Sequence, residues 1–299
     1  MIPLSAFHAF RFDPPLGVAA SLLLHVAIVG FFVAGFVAVL SQLTPRVKLG
    51  IANIAAAVST GLLTGFFVAR FVEAGSAPLG NLFEIVALCG LGLAVAYLVA
   101  SRVKPMPAVG AFAFPVLAVI FGVDYLLAPT FARPGAHGPN EPLLVAHVIL
   151  IVLAYGVFLL ATTAAVMSLV QERQLKQHRE TPFIRSFPPL ESLRKLVNTC
   201  LLIGLPILTV GFALGFVAFN SADWGGVTSN PKIVASLVLW LVLVAALIGR
   251  ITGVLHGRRH LYLVLAGFVL VIFSFVGLGL LAQSRNNQSA SIATQETRA

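Results

Sequence analysis

The sequence predicts an all-α protein, a polytopic transmembrane helical bundle of about eight helices. Eight apolar runs, each long enough to cross a bilayer, fill the chain from Leu16 to Ala282. Hydrophobic residues make up 59% of the 299 residues, charged residues only 10%, and the mean hydropathy is +1.00. A soluble protein of this size needs far more surface charge. The runs are solidly apolar and do not alternate like barrel strands, so each must satisfy its backbone polar groups as a helix.

The predicted spans follow one another along the chain with short connections. A bilayer core needs about 20 apolar residues per helix. The runs that meet this length are 16–41, 50–72, 79–101, 106–128, 143–171, 197–219, 231–252 and 261–283. The first run is too long for a signal peptide and is interpreted as a retained helix. We therefore expect a single transmembrane domain over 1–283 and a polar, disordered tail over 284–299.

Basic residues collect in alternate connections and predict the orientation. The loop predicted after helix 5 has the most: Arg173, Lys176, Arg179, Arg185, Arg194 and Lys195. The loop after helix 4 contains only Arg133, and the loop after helix 6 only Lys232. Because cytoplasmic loops attract Lys and Arg, both termini are expected on the outer (periplasmic) side of a bacterial cytoplasmic membrane. Topology and contact with the lipid bilayer then explain the net charge of +9, and nucleic-acid binding is not expected.

Two histidines lie inside predicted spans, where an ionisable residue is a functional candidate by default. His147 is near the outer end of helix 5, and His25 is within helix 1. A neutral imidazole is a common axial ligand of haem iron. The alternative for each histidine is a structural hydrogen bond to a neighbouring helix. Three further histidines are expected to be solvated among cytoplasmic basic residues: His178, His256 and His260.

Four polar residues cluster around the outer turn between helices 2 and 3: Arg70, Glu73, Asn81 and Glu84. Arg70 and Glu73 are three residues apart and are expected to pair on one helix face. The cluster predicts either an ion-pair network that fixes the turn or a contact with the polar edge of a ligand.

Three segments carry a recognisable pattern. The first is residues 70–84, Arg-Phe-Val-Glu-Ala-Gly-Ser-Ala-Pro-Leu-Gly-Asn-Leu-Phe-Glu. The second is His147-Val148 followed by Ala154-Tyr155, and the third runs from Gly215 through Trp224, Asn230-Pro231-Lys232 and Trp240 to Arg250. In this order they resemble the cytochrome c assembly family of haem-handling membrane proteins, over about residues 65–282.

The resemblance implies a haem site at the outer face. In that family, haem lies between two outer histidines and against a tryptophan-rich loop, and His147 matches the first histidine. The residues implied to bind the cofactor are His147, Trp224, Asn230, Lys232, Tyr155, Asn81 and Glu84, with His25 as a second candidate for the iron. Other family histidines are replaced here by Leu281, Ile248 and Ser76, and the chain therefore resembles the diverged HemX- or YpjD-like branch of the family. The loop Asn220–Lys232 is expected to place Trp224 near His147.

The resemblance also implies the function. It is that of a cytochrome c biogenesis protein that binds non-covalent, b-type haem at the outer membrane face for delivery to apocytochrome c. A second cytochrome c assembly subunit is the implied partner. Such a chain is an assembly factor and at most part of a haem–cytochrome c ligation complex, not an enzyme by itself. The alternative is a HemX-like accessory or regulatory protein without stably bound haem.

Overall fold

The chain forms a series of helices in the computed structural model. The structure describes residues 17–44, 47, 49–80, 82–103, 106–131, 141–177, 187–218, 231–255 and 257–272. These residues contain eight helices: α1 Val18–Leu43, α2 Leu49–Ala74, α3 Leu82–Val103, α4 Pro107–Phe131, α5 Pro142–Lys176, α6 Leu190–Ala218, α7 Pro231–Ile251 and α8 Arg258–Ile272.

The helices confirm the predicted fold class. Within the described ranges, α1, α2, α3, α5, α6 and α7 are long and apolar enough to cross a membrane. The apolar stretch Ala108–Val123 of α4 is shorter. The described part of the chain is therefore a polytopic helical membrane bundle, as its composition indicates.

The chain divides into two compact units, residues 1–218 with α1–α6 and residues 219–299 with α7 and α8. In the first unit α5 and α6 share the most extensive interface, α1 packs on α2 and α4, and α3 packs on α4 and α5. In the second unit α7 and α8 pack on each other, with Gly267 of α8 facing Leu239 and Leu243 of α7.

The two faces of α1 show how the sequence directs packing in a membrane. Its buried stripe contains Ala20, Ala27 and Ala34, each 0% exposed, whereas its exposed stripe contains Leu22, Val29 and Phe36, at 60%, 60% and 67%. Each stripe repeats every seven residues, close to two helical turns. Small residues let neighbouring helices approach closely, and large apolar residues are stable against lipid. The buried face of the helix therefore combines small residues with a few large ones, Leu24, Ile28 and Phe31, whereas large apolar residues occupy the exposed stripe.

The helices α3 and α5 cross through backbone contact at two glycines. A Cβ built on Gly156 of α5 would lie 2.6 Å from Cα of Gly92 in α3 and 2.6 Å from its carbonyl carbon. In the other direction, a Cβ on Gly92 would lie 3.2 Å from Cα of Gly156. This crossing therefore requires glycine, because the atoms that a side chain would meet belong to the backbone and cannot rotate away.

We expect Gly156→Ala to destabilise the protein by about 1–3 kcal/mol, the usual cost of overpacking. Gly61→Ala is the control, since a Cβ there meets nothing within 4 Å. Thermal unfolding in one detergent, followed by circular dichroism, compares the two variants. Equal stability of the two would contradict the close contact between α3 and α5.

The charged connection after α5 is shorter than predicted. The sequence predicts ends at residues 171 and 197, but α5 continues to Lys176 and α6 begins at Leu190. Glu172 explains part of this extension, because it pairs with Lys176 at 3.4 Å and with Arg194 of α6 at 3.3 Å. Four of the predicted loop residues therefore lie on helices: Arg173, Lys176, Arg194 and Lys195.

The prediction that His260 is exposed to solvent is wrong. His260 was expected to be solvated, but it is buried, with 4% of its surface exposed. It lies in the first turn of α8, which packs against α7. The basic residues next to His260 in the sequence did not indicate its burial, because burial depends on which face of the helix the packing partner covers. His178 and His256 lie outside the described residues.

The two ends of α5 offer a test of the predicted orientation. The 35 residues of this helix span about 52 Å, against about 30 Å for a bilayer core. Glu141 and Gln177 cap the two ends, and both are exposed. In a background with Cys89 and Cys200 replaced by alanine, we expect a membrane-impermeant maleimide to label Glu141→Cys in intact cells and Gln177→Cys only after lysis. The reverse result would overturn the orientation.

Candidate functional site

The imidazole of His147 is held by a glycine of the next helix. His147 lies in the second turn of α5 and is half-buried. Its Nδ1 is 2.6 Å from the backbone carbonyl oxygen of Gly211 in α6. A carbonyl oxygen only accepts, so Nδ1 is the donor in this hydrogen bond. The structure therefore contains the hydrogen bond to a neighbouring helix that was the alternative prediction for His147. This bond uses one of the two ring nitrogens.

Gly215 makes room for the same ring one turn further along α6. A Cβ built on Gly215 would meet the imidazole first, 2.5 Å from Nδ1 and 3.2 Å from Nε2. Sequence reasoning gave Gly211 no role and used Gly215 only as the start of a motif. Their four-residue spacing was the available signal, because residues four apart lie on one helix face.

The turn between α2 and α3, which the sequence predicts on the outer side, is fixed by a buried ion pair. Nη2 of Arg70 lies 3.6 Å from Oε1 of Glu84, and the two side chains are 4% and 3% exposed. The other carboxylate oxygen of Glu84 accepts a hydrogen bond from the Gly80 amide at 3.1 Å. The chain reverses at Gly75, whose φ of +63° favours glycine.

The predicted partner of Arg70 was wrong. Glu73 is exposed, and its Oε2 accepts a hydrogen bond from the Gly17 amide at 3.1 Å, at the start of α1. Arg70 instead pairs across the turn with Glu84. Tertiary contact decides the pairing here, since a residue three positions along the same helix offers only a weak, exposed interaction.

Glu84 on α3 and His147 on α5 precede the crossing of these two helices by similar lengths. Glu84 precedes Gly92 by eight residues, and His147 precedes Gly156 by nine, so they lie about 12 Å and 13 Å from the crossing of α3 and α5. Nine residues are also about two and a half helical turns. His147 therefore projects from the side of α5 opposite Gly156, toward α6 and away from α3.

The other candidates are placed as follows. His25 is half-buried on α1, with Nδ1 2.6 Å from the Ser21 carbonyl oxygen of its own helix. Tyr155 is buried in α5, 3% exposed, and about 12 Å along the helix from His147. Ile248 on α7 is 54% exposed and apolar. Several residues lie outside the described part of the chain: Asn81, Trp224, Asn230, Leu281 and the side chain of Lys232.

The donor set for a metal is small in the described residues. Among them, no three His, Cys, Asp or Glu side chains form a group that could hold an ion. His147 is thus a single imidazole with backbone support, and this fits one axial bond to a haem iron better than a protein-only metal centre.

Fold and site together describe a polytopic helical membrane protein with a positioned histidine near one end of the bundle. The profile of the family described as "Cytochrome C assembly protein" matches residues 79–284. A cytochrome c biogenesis protein CcsA from Guillardia theta is 30% identical over 233 residues, covering 72% of this chain and 77% of the relative. The CcsA of Prochlorococcus marinus (strain NATL2A) is 30% identical over 307 residues, covering 91% and 93%.

A third CcsA, from Synechococcus sp. (strain CC9902), is 28% identical over 302 residues, which cover 91% of this chain and 95% of the relative. The chain belongs to the cytochrome c assembly protein family. The resemblance to this family is thereby confirmed. Because these relatives carry the CcsA name, they favour the cytochrome c biogenesis interpretation over the HemX-like alternative.

Proposed function

We propose that this chain is a membrane protein of cytochrome c biogenesis that holds b-type haem at the outer membrane face for delivery to apocytochrome c. The observation that carries the proposal is His147. It lies near the end of α5 and is half-buried, and its Nδ1 donates to the Gly211 carbonyl. The membership of the chain in the cytochrome c assembly family supports the same function.

The residues present fit one side of a haem. A bound haem supplies an iron that accepts an imidazole nitrogen as an axial ligand. With Nδ1 committed to Gly211, the nitrogen left for that role in His147 is Nε2. A backbone carbonyl as the second partner of a metal-binding histidine is the common arrangement.

The remaining parts of the proposed site come from other segments. Trp224 is proposed to stack on the porphyrin and Lys232 to pair with a propionate. Arg70 has a structural role, since its guanidinium is buried against Glu84. Ile248 and Leu281 have no donor atom for iron, so a second ligand would come from His25, His137 or a partner subunit.

The proposed location is the bacterial cytoplasmic membrane. The alternating basic loops support an orientation in which the His147 end of α5 is outside. Apocytochrome c and a second cytochrome c assembly subunit are the proposed protein partners on that side. The chain itself is proposed to position haem and not to be a complete enzyme.

Co-purified haem tests the proposal. The chain is expressed in a haem-replete bacterial host, alone and with a second cytochrome c assembly subunit as partner, and purified in mild detergent. We expect a Soret band and a stoichiometric pyridine haemochrome value, at least with the partner. Folded protein without haem in both preparations would overturn the proposal and favour an accessory protein.

A further inference from the structure

The interface between α5 and α6 holds the His147 ring in one orientation, through a hydrogen bond to Gly211 and the space left by Gly215. Three glycines of α6 face α5: Gly204, Gly211 and Gly215. They are seven and four residues apart, so they lie on one side of the helix. A Cβ on Gly204 would meet the Phe158 ring at 2.6 Å, and one on Gly211 would meet Cγ1 of Ile151 at 2.9 Å. Only at Gly215 is the nearest group the imidazole of His147.

The hydrogen bond to Gly211 selects the tautomer of His147. A neutral imidazole carries one ring proton, and a carbonyl oxygen is a pure acceptor. At 2.6 Å from the Gly211 oxygen, Nδ1 must carry that proton. The lone pair of the ring is then on Nε2, and Gly215 leaves the space that the ring needs to stay in this orientation.

We propose that Gly211 and Gly215 are positioning residues that hold His147 as the Nδ1–H tautomer and present its Nε2 to the iron of haem. The inference rests on the proposed function for its haem part only. The choice of tautomer is a property of the haem-free protein. A side chain at Gly215 pushes the ring off its carbonyl acceptor, so that the ring loses both its orientation and its fixed proton.

Nitrogen-15 NMR of haem-free protein tests the tautomer directly. With labelled histidine and at a pH where imidazole is neutral, the protonated ring nitrogen and the one with the lone pair resonate at well-separated frequencies. The His147 signals are those missing in His147→Ala. We expect Nδ1 to be protonated in the wild type and in Gly204→Ala, and a mixture of tautomers in Gly215→Ala. A wild-type Nε2–H tautomer would overturn the inference, and this result does not depend on whether Gly215→Ala folds.

Haem titration tests the consequence for the ligand. Loss of a group that orients a metal-binding histidine costs about 10–100-fold in affinity. We expect Gly215→Ala to weaken haem binding by this factor and to move the Soret maximum, while Gly204→Ala binds haem as the wild type does. Gly204→Ala is the matched control, because it crowds the same interface without touching His147.

The outcomes separate the two proposals. If the wild type takes up no haem but has the Nδ1–H tautomer, the proposed function fails, whereas the inference that the interface selects this tautomer is supported. If haem binds equally well to the wild type and Gly215→Ala, the proposed function stands and the positioning role is wrong. Equal losses of haem affinity in Gly204→Ala and Gly215→Ala would also reject the positioning role, because they would indicate a general effect on packing.

Discussion

Replacement of His147 by alanine is expected to remove the Soret band of co-purified haem. His147 is the imidazole that we propose as the haem ligand, and its Nδ1 already has a partner in Gly211. Without it, the described part of the first unit offers the iron no other imidazole than His25 on α1. The absorbance spectrum and the haem-to-protein ratio of the purified variant measure the loss.

Two controls make this result specific. His256→Ala is expected to keep a wild-type spectrum, because that residue lies on the predicted inner side. Free imidazole added to His147→Ala is expected to restore part of the Soret band by entering the space left by the ring. A full complement of haem in His147→Ala would show that another residue is the ligand, and His25→Ala would then be the next variant.

Arg70→Leu is expected to destabilise the protein by about 3–5 kcal/mol, since it leaves the carboxylate of Glu84 buried and uncompensated. The double variant Arg70→Leu/Glu84→Leu is expected to recover most of this loss, because an apolar pair of similar volume is often as stable as a buried ion pair. Unfolding in a series of detergent mixtures, followed by tryptophan fluorescence, compares the variants.

The ion pairs of Glu172 provide the comparison for Arg70. Glu172→Gln removes pairs with Lys176, whose side chain is 65% exposed, and with Arg194, whose side chain is 36% exposed. Such exposed pairs contribute about 1 kcal/mol or less. Equal losses in Arg70→Leu and Glu172→Gln would contradict the burial of the outer pair. A double variant no more stable than Arg70→Leu would show that the carboxylate is not the source of the loss.

The helices were predictable because the apolar runs leave little choice inside a membrane. Helix ends were less predictable where charged residues continue a helix, as Glu172 does by pairing with residues on both sides of the connection. Hydropathy marks where the chain leaves lipid, and this is not where a helix must stop.

The candidate site was predictable in part. His147 stands out in the sequence as an ionisable residue within an apolar run, and the structure gives it a specific hydrogen bond. Its glycine partners do not stand out, because small residues in membrane helices commonly serve packing alone. The pairing of Arg70 with Glu84 depends on how α2 and α3 pack after the turn. The spacing of residues along one helix gives no information about this packing.

The contact between Gly92 and Gly156 is a close approach of two backbones. At this point backbone touches backbone, so no change of rotamer can alter the separation. Glu84 lies about 12 Å along α3 from this contact, and His147 about 13 Å along α5. A change of one degree in the crossing angle would move either residue by about 0.2 Å at that distance. The distance between the Arg70–Glu84 pair and His147 therefore depends on the angle at which α3 and α5 cross at these two glycines.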